Sequence, residues 1–287
     1  MFVWLGVSLS AWAQSISVVD DTGATVSLDK PAQRIVSLAP HTTEMLFAVG
    51  AGENIVGAVD YSDYPEAAKS IPRVGGYSKL DIEAILVLQP DLVVAWSSGN
   101  QQASMAKLRQ LGLKLYFSEP KDFEGVVSNM ERFAVLTGNA QQGAKAAAEF
   151  RQELARLTSI YAGQEKVRVF YQIWNKPLMT INGEHLIGKV IEFCGGENIF
   201  HDLPVLAPQV NMEAVLLANP EVIIASGMVN ENPQWLAEWR KWIHVSAVKS
   251  NSIYNIHSDI IQRHSPRILQ GAEQMCLHLA DARKKTR

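Results

Sequence analysis

Cysteine is scarce in this chain, with only Cys194 and Cys276 among 287 residues. No Cys-x-x-Cys pair occurs, so the spacing typical of structural zinc sites is absent. In an oxidising compartment, an even number of cysteines permits one disulfide bridge. Two buried free thiols are the alternative, because unpaired cysteines are common in protein cores.

An excess of charge, long apolar runs and catalytic signature motifs are also lacking. The formal net charge is −3 and the charged residues are interspersed, so no basic stripe indicates binding to nucleic acid. Beyond the N-terminus, no apolar run approaches the ~18 residues that a membrane-spanning helix needs. The sequence has no phosphate-binding loop, Gly-x-Ser-x-Gly elbow, His-Glu-x-x-His pair or Gly-x-Gly-x-x-Gly fingerprint. These absences remove the usual reasons for predicting an enzyme.

The first thirteen residues, MFVWLGVSLSAWA, form an apolar run that ends in Ala11-Trp12-Ala13. Small residues at this spacing are typical of the cleavage site of a secretory signal peptide, which predicts a mature protein that begins at Gln14. The basic start of such a peptide is missing, since the first lysine is Lys30. An apolar N-terminal strand is the alternative. No cysteine follows the small residues, so we predict an exported protein without a lipid anchor.

Short strand-like runs alternate with helical patterns of about ten residues along the chain. An alternating segment around an Asp-Thr-Gly turn near the N-terminus indicates a β-hairpin. Residues 140–161 are strong helix formers without proline, which predicts a helix of about 22 residues, or ~33 Å. The alternation restarts after Gly163. We therefore predict an α/β fold with one lobe at residues 14–139, a second at 164–287, and a connecting helix at 140–163.

Two stretches repeat one pattern 130 residues apart: LDIEAILVLQPDLVVAW at residues 80–96 and VNMEAVLLANPEVIIAS at residues 210–226. Each has a glutamate, Glu83 or Glu213, seven residues before a proline that an acid and a β-branched run follow. This predicts a helix that begins near the glutamate and a strand after the proline. The helix dipole alone explains an acid in a first turn, at ~0.3–1 kcal/mol. Because the register recurs, we also expect two carboxylates on matching surfaces, where a twofold-symmetric partner can bind both.

Histidines and other acids give weaker indications. His41, Asp259 and His264 are candidates for a metal site, and His41, Glu44 and Asp63 are candidates for a secreted enzyme. Isolated loop histidines are usually solvated, and Glu44 is explained as an acid in the first turn of the helix after LAPH. We therefore favour neither a metal centre nor a catalytic one, and we expect no cofactor.

Aromatic residues indicate a binding site more directly. Five lie at or just beyond the predicted C-terminal ends of strands: Tyr61, Tyr64, Tyr77, Trp96 and Trp174. Ligands of open α/β sheets bind at these ends, so two lobes that face each other bring the five aromatics into one cleft. Any one of them can be a packing residue, because aromatics supply much of the area of protein cores. Together they predict a large, flat, mostly neutral ligand held by stacking and apolar contact.

Several longer segments together resemble one family. They are RIVSLAPHTTEMLFAVGA, the stretch from IVGAVDYSDYP to LVVAWSSGN, VIEFCGGENIF, PQVNMEAVLLANPEVII and SPRILQGAEQMC. Over nearly all of its mature length, the chain resembles the periplasmic cobalamin (vitamin B12) binding proteins of ABC importers, members of the helical-backbone class of substrate-binding proteins. Siderophore and haem binders share the Glu-to-Pro unit, whereas DYSDYP, AWSSGN and CGGENIF point to the cobalamin branch.

The resemblance implies a monomeric periplasmic protein with two Rossmann-like lobes and a corrin ring held in the cleft between them. It implies that cobalamin passes to a homodimeric inner-membrane permease with its ATPase subunits. Glu83 and Glu213 match the carboxylates that dock onto arginines of the permease, one per subunit. Cys194 and Cys276 match a disulfide within the C-terminal lobe.

The resemblance also implies which residues contact the ligand. Tyr61, Tyr77 and Trp96 match ligand-contacting aromatic positions, with Tyr77 where a tryptophan is known in the family. Asp259 and Arg263 match a polar pair beside the ligand.

This chain departs from the family at three places. Ala207 stands where a ligand-facing tryptophan can occur, His41 stands where a small polar residue is expected, and DIIQR replaces a more aromatic segment. These departures leave room for another corrinoid. A haem or ferric-siderophore binder of the same class is the alternative.

Overall fold

The computed structural model describes residues 15–76, 79–227 and 232–286. The N-terminal elements are β1 (Ile16–Val19), β2 (Thr25–Leu28), β3 (Ile35–Ser37), α1 (Pro40–Ala48), β4 (Ile55–Ala58), β5 (Gly75–Gly76), β6 (Lys79–Leu80), α2 (Ile82–Val87), β7 (Leu92–Trp96), α3 (Gln102–Gln110), β8 (Leu115–Ser118) and α4 (Phe123–Thr137). The others are α5 (Ala140–Tyr161), β9 (Val167–Gln172), α6 (Leu186–Phe193), β10 (Gly196–Asn198), α7 (Met212–Ala218), β11 (Val222–Ala225), α8 (Asn232–Trp239), α9 (Ser246–Lys249), β12 (Ile253–Asn255), α10 (Ser258–Ile261) and α11 (Ile268–Thr286). Within these ranges, no helix has the length and apolar character needed to cross a bilayer.

Each lobe is built around a four-stranded parallel sheet. The N-terminal sheet has the order β4-β3-β7-β8, and the C-terminal sheet has the order β10-β9-β11-β12. Both orders are 2-1-3-4 when the strands are numbered in chain order within their own sheet, so the two sheets share one topology. The central strands are buried on both faces, as their continuous apolar runs require. This confirms the predicted α/β fold with two similar lobes.

The repeated unit folds in the same way in both lobes. The Asp81 side chain caps α2 by accepting a hydrogen bond from the Ala84 N–H at 2.9 Å. The Asn211 side chain caps α7 by accepting one from the Ala214 N–H at 2.8 Å. Asp and Asn are among the preferred capping residues because their oxygens satisfy an unpaired backbone donor of the first turn. Both helices therefore begin in the same register relative to the glutamate.

The acid after each proline joins the unit to the central strand of its sheet. The Asp91 carboxylate accepts hydrogen bonds from the backbone N–H groups of Gln33 and Arg34, at 2.8 and 3.1 Å. In the other lobe, the Glu221 carboxylate accepts one from the backbone N–H of Arg168 at 2.9 Å. The guanidinium groups of Arg34 and Arg168 donate in turn to carbonyls at the ends of α2 and α7. The acid after the proline thus links the helix of each repeated unit to a central strand of the sheet.

Helix α5 connects the lobes and belongs to a core that both share. It follows α4 after a turn at Gly138, whose backbone is left-handed at φ 76°, a conformation that glycine adopts without strain. The buried side chains of Ala147, Phe150 and Leu157 contribute to one hydrophobic cluster that runs from the N-terminal lobe into the C-terminal lobe. This shared core fixes the helix against both lobes.

A disulfide bridge joins Cys194, at the end of α6, to Cys276 in α11. Both side chains are buried. The bond closes a loop of 82 residues within the C-terminal lobe. It confirms the bridge that the family resemblance implies and rules out the alternative of two free thiols.

Candidate functional site

Three of the predicted ligand-contacting aromatics follow strands of the two sheets. Trp96 is the last residue of β7, Tyr61 follows β4, and Trp174 follows β9. Tyr61 has a left-handed backbone, with φ 63°, and its side chain is exposed. Tyr77 lies outside the described residues. The described aromatics therefore lie where ligands of parallel sheets bind.

The indole ring of Trp96 is held in one orientation from several sides. Its Nε1–H donates to Oε1 of Glu119 at 3.2 Å, and its backbone N–H donates to Oδ1 of Asn100 at 2.7 Å. Gly99 lies against the ring so closely that a Cβ there would stand 1.9 Å from Cε3 of the indole. A glycine is therefore required at this position for the ring to keep its place.

Trp174 belongs to a separate aromatic pair in the C-terminal lobe. Its Nε1–H donates to the carbonyl of Lys176 at 3.0 Å, and its ring meets Trp235 edge-on with centroids 5.7 Å apart. Among the described side chains, no ring contact joins this pair to Trp96. The site thus has one aromatic group in each lobe.

Two buried histidines, His41 and His264, pack against Trp96, contrary to the expectation that loop histidines are solvated, and the partly buried His185 packs against His264. His41 meets Trp96 edge-on at a centroid distance of 5.5 Å, and His264 lies 6.0 Å from His41 and 6.3 Å from Trp96. His185 packs against His264 at 5.1 Å. The solvated interpretation of His41 and His264 is wrong, because the C-terminal lobe brings His264 against the first helix of the other lobe.

Burial keeps these imidazoles neutral. It lowers the pKa of His264 to about 4, and burial, with His264 close by, lowers the pKa of His185 to about 3. Burial, with His264 and Arg263 nearby, holds the pKa of His41 well below its usual range. Nδ1 of His264 has no hydrogen-bond partner in the described structure. Within the described ranges, no group of three or more His, Cys, Asp or Glu side chains is arranged to hold a metal ion.

Arg263 binds three carboxylates, and two of them join it to the other lobe. Its Nη1 donates to Glu44 at 2.9 Å and to Asp63 at 2.8 Å, both in the N-terminal lobe. Its Nη2 donates to Asp259 at 2.7 Å, one helical turn earlier in the C-terminal lobe. The guanidinium is largely buried, with 10% of the side chain exposed. The structure therefore brings the predicted pair, Asp259 and Arg263, together and places it at the junction of the lobes.

Glu44 is the centre of the same ion network. Besides Arg263, its carboxylate accepts hydrogen bonds from Nε and Nη2 of Arg267, at 2.9 and 2.5 Å, and from the Ser265 hydroxyl at 2.5 Å. Only 2% of the Glu44 side chain is exposed. The Arg267 guanidinium also covers the ring of Tyr64 at 3.9 Å. The interpretation of Glu44 as a first-turn acid is wrong, because the first turn of α1 carries no acid and this carboxylate faces the other lobe.

The three residues weighed for a secreted enzyme do not form a hydrogen-bonded triad. Glu44 and Asp63 both accept from Nη1 of Arg263. Nε2 of His41 lies instead 3.4 Å from the hydroxyl of the buried Ser118. The two carboxylates therefore serve the ion network that joins the lobes.

Several residues of this region cannot be assigned to the site from the sequence. Arg267 and Ser265 stand in SPRILQ and are 223 and 221 residues from Glu44, so no local pattern links them to it. His185 caps α6 by accepting a hydrogen bond from the backbone N–H of Ile187 at 3.1 Å. This local role gives no indication that its ring packs against His264. The segment SPRILQ belongs to the family resemblance, which assigns no role to Ser265 or Arg267.

Glu83 and Glu213 lie away from the aromatic cleft residues on the short helices α2 and α7. Each is in the first turn of its helix, and both side chains are exposed. No ion pair within the described residues engages either carboxylate. Both acids are thus available to a partner at equivalent positions of the two lobes.

The sequence and the fold agree with those of known binding proteins. A family model for periplasmic binding proteins matches residues 35–260. A vitamin B12-binding protein of Vibrio cholerae serotype O1 is 41% identical over 256 residues, which are 89% of this chain and 92% of that protein. The crystal structure of the periplasmic vitamin B12 binding protein BtuF of Vibrio cholerae matches with a TM-score of 0.83 and 40% identity, covering 88% of this chain and 99% of that one.

A more distant structure shares the fold alone. The periplasmic heme-binding protein RhuT from Roseiflexus sp. RS-1 matches with a TM-score of 0.77 at 23% identity, over 88% of this chain and 99% of that one. The family model spans most of this chain, and the Vibrio cholerae relative is similar over nearly its whole length. The chain belongs to the periplasmic binding protein family.

Proposed function

We propose that this protein captures cobalamin, or a closely related corrinoid, in the periplasm and delivers it to an ABC permease in the inner membrane. The proposal is supported by the 41% identity to a relative named as a vitamin B12-binding protein and by the site between the lobes. Residues 1–13, outside the described residues, serve as the export signal in this proposal. No covalent bond is made or broken in the process.

One observation carries the choice of ligand: the arginines at the lobe junction are already neutralised. Arg263 is bound by three carboxylates, and Arg267 is bound by Glu44. The carboxylates of haem require unpaired cations when they are buried, and so does a ferric siderophore that carries a net negative charge, because burial of an uncompensated charge is costly. A corrinoid that carries amide side chains is largely neutral and does not require them. It fits a cleft built from aromatic rings and hydrogen-bonding groups.

Individual residues have distinct roles in this proposal. Tyr61, Tyr77 and Trp96 provide stacking and apolar contact from the N-terminal lobe, and Trp174 does so from the other lobe. Asp259, which is partly exposed, accepts hydrogen bonds from ligand amides, while Arg263 contributes its remaining donor capacity and fixes the orientation of Asp259. Ala207 and His41 tune which corrinoid is preferred.

The ligand contacts are tested by retention of cyanocobalamin on a desalting column, followed by its visible absorbance. The parent protein is expected to retain one equivalent, and Trp96→Ala is expected to lose most of it. Lys69→Ala is the control, because Lys69 is exposed and forms an ion pair with the equally exposed Glu66. Equal retention by the Trp96→Ala variant would contradict the assigned cleft.

Glu83 and Glu213 dock the loaded protein onto arginines of a homodimeric permease, one carboxylate per subunit. The Glu83→Ala/Glu213→Ala protein is expected to bind cyanocobalamin as the parent does and to lose stimulation of transport in permease proteoliposomes. A loss of ligand affinity in this variant would contradict the separation of the two roles.

Haem is a second candidate because of one observation. Nδ1 of the buried His264 has no hydrogen-bond partner in the described structure, and an imidazole nitrogen can ligate a haem iron once the side chains that cover it move aside. Haem binding predicts a shifted Soret band when haemin is mixed with the protein, and that band should disappear in His264→Gln. An unshifted haemin spectrum would remove this candidate.

A further inference from the structure

The two most exposed large hydrophobic side chains among the described residues occupy equivalent positions in the two lobes. Val87 is 81% exposed and Leu217 is 89% exposed. Each lies four residues after the glutamate of its repeat and three residues before the proline. A single exposed aliphatic side chain needs no explanation. Two at the same register of a duplicated unit indicate a common use.

Helix geometry places each aliphatic side chain beside its glutamate. Residues four apart on a helix lie on one face, about 5–6 Å apart at Cβ. The opposite face of each helix is fixed to its lobe, since Ile85 of α2 and Val215 of α7 are fully buried. Each helix therefore presents a carboxylate and an aliphatic side chain together to solvent.

We propose that these pairs, Glu83 with Val87 and Glu213 with Leu217, are two equivalent docking faces for the homodimeric permease. In each face, the carboxylate forms an ion pair with a basic group of one permease subunit, and the aliphatic side chain packs into an apolar pocket beside that group. The proposal rests on the proposed function, because it extends the docking role assigned to the two glutamates. The recurrence of both chemistries in both lobes argues for a partner with twofold symmetry.

The surface beside the face on the C-terminal lobe has an apolar extension. Leu216 and Asn219 of the α7 region line a surface cavity of about 470 Å³ with residues 241–245. Trp242 and Ile243 from that segment are exposed. The segment is held against the end of α7 because the backbone N–H of Ser246 donates to Oδ1 of Asn219 at 2.8 Å. Leu217 has a larger side chain than Val87 and lies next to Leu216 of this apolar surface, so we expect it to contribute more to docking.

The test measures binding of cyanocobalamin-loaded protein to the permease in lipid nanodiscs, for Val87→Ser, Leu217→Ser and the double variant. Leu277→Ser is the matched control, since Leu277 is an exposed leucine on α11, away from both docking faces. Retention of cyanocobalamin and the thermal midpoint show that each variant is folded. Measurements at about 0.1 M and about 1 M salt separate ionic from apolar contributions, because screening lengths there are ~10 and ~3 Å.

Leu217→Ser is expected to weaken docking by about tenfold and Val87→Ser by a smaller factor, because truncation of a buried interface side chain has effects of this size. These losses should persist at high salt, whereas the loss in the Glu83→Ala/Glu213→Ala protein should shrink. Unchanged docking of the serine variants, with lost docking of the alanine pair, would overturn this inference and leave the proposed function intact. Unchanged docking in both sets would remove the docking role altogether.

Discussion

Replacement of Glu44 by glutamine should destabilise the protein more than any change of similar size on its surface. Glu44 lies in α1 of the N-terminal lobe, and its carboxylate accepts from Arg263, Arg267 and Ser265 of the other lobe. Glu44→Gln keeps the size of the side chain and removes its charge. The amide also directs an N–H₂ donor toward guanidinium donors.

The magnitude follows from the burial of the partners. The side chains of Arg263 and Arg267 are 10% and 14% exposed, so water cannot replace the lost carboxylate. Arg263 keeps Asp63 and Asp259, but Glu44 is the only carboxylate that pairs with Arg267 among the described residues. Breaking a buried ion pair from one side costs about 3–5 kcal/mol. This is a large part of the ~5–15 kcal/mol that stabilises a typical protein.

The assay is urea unfolding followed by far-ultraviolet circular dichroism and by tryptophan fluorescence, because coincident transitions are needed to derive a free energy of unfolding. Glu66→Gln is the control. Glu66 pairs with Lys69 at 2.8 Å, but its side chain is 85% exposed, so its loss should change stability by less than ~1 kcal/mol. A loss below about 1 kcal/mol for Glu44→Gln would refute the account of the ion network.

Three further predictions concern other parts of the molecule. Since burial lowers the pKa of His264 to about 4 while an unfolded histidine titrates near 6.5, the unfolded state binds more protons between these values. His264 should therefore contribute a loss of stability of about 2 kcal/mol from pH 7 to pH 5, to which the lowered pKa values of His41 and His185 add, and His264→Gln should reduce the total loss by about that amount. Gly99→Ala should displace Trp96, lower the free energy of unfolding by ~1–3 kcal/mol and change the tryptophan fluorescence, whereas an unchanged spectrum would contradict the contact. Cys194→Ser with Cys276→Ser should cost ~4.5 kcal/mol, because the bridge closes an 82-residue loop; a thermal midpoint equal to that of the parent would contradict this.

Much of the fold is predictable because its signals are local. The continuous apolar runs LVVAW and VIIA form the buried strands β7 and β11, and residues 140–161 form one helix as their composition predicts. The strand β10, Gly196–Asn198, has no such signal, since it is short, polar and at the edge of its sheet.

The candidate site is less predictable because it forms where the two lobes meet. Trp96 is predictable, since its position at a strand end follows from the sheet pattern. The pairing of Glu44 with Arg263 joins residues 219 positions apart, so no spacing in the sequence indicates it. The burial of His41 and His264 depends on the same meeting of lobes. Only the resemblance to a family pointed to Arg263 at all.

The measurement that tests the central claim most directly is a calorimetric titration of the mature protein with cyanocobalamin, with haemin and a ferric hydroxamate as competing candidates. The account predicts saturation at one cyanocobalamin per protein and no binding heat from the other two ligands. Saturation by haemin or the hydroxamate, with no heat from cyanocobalamin, would contradict the proposed ligand.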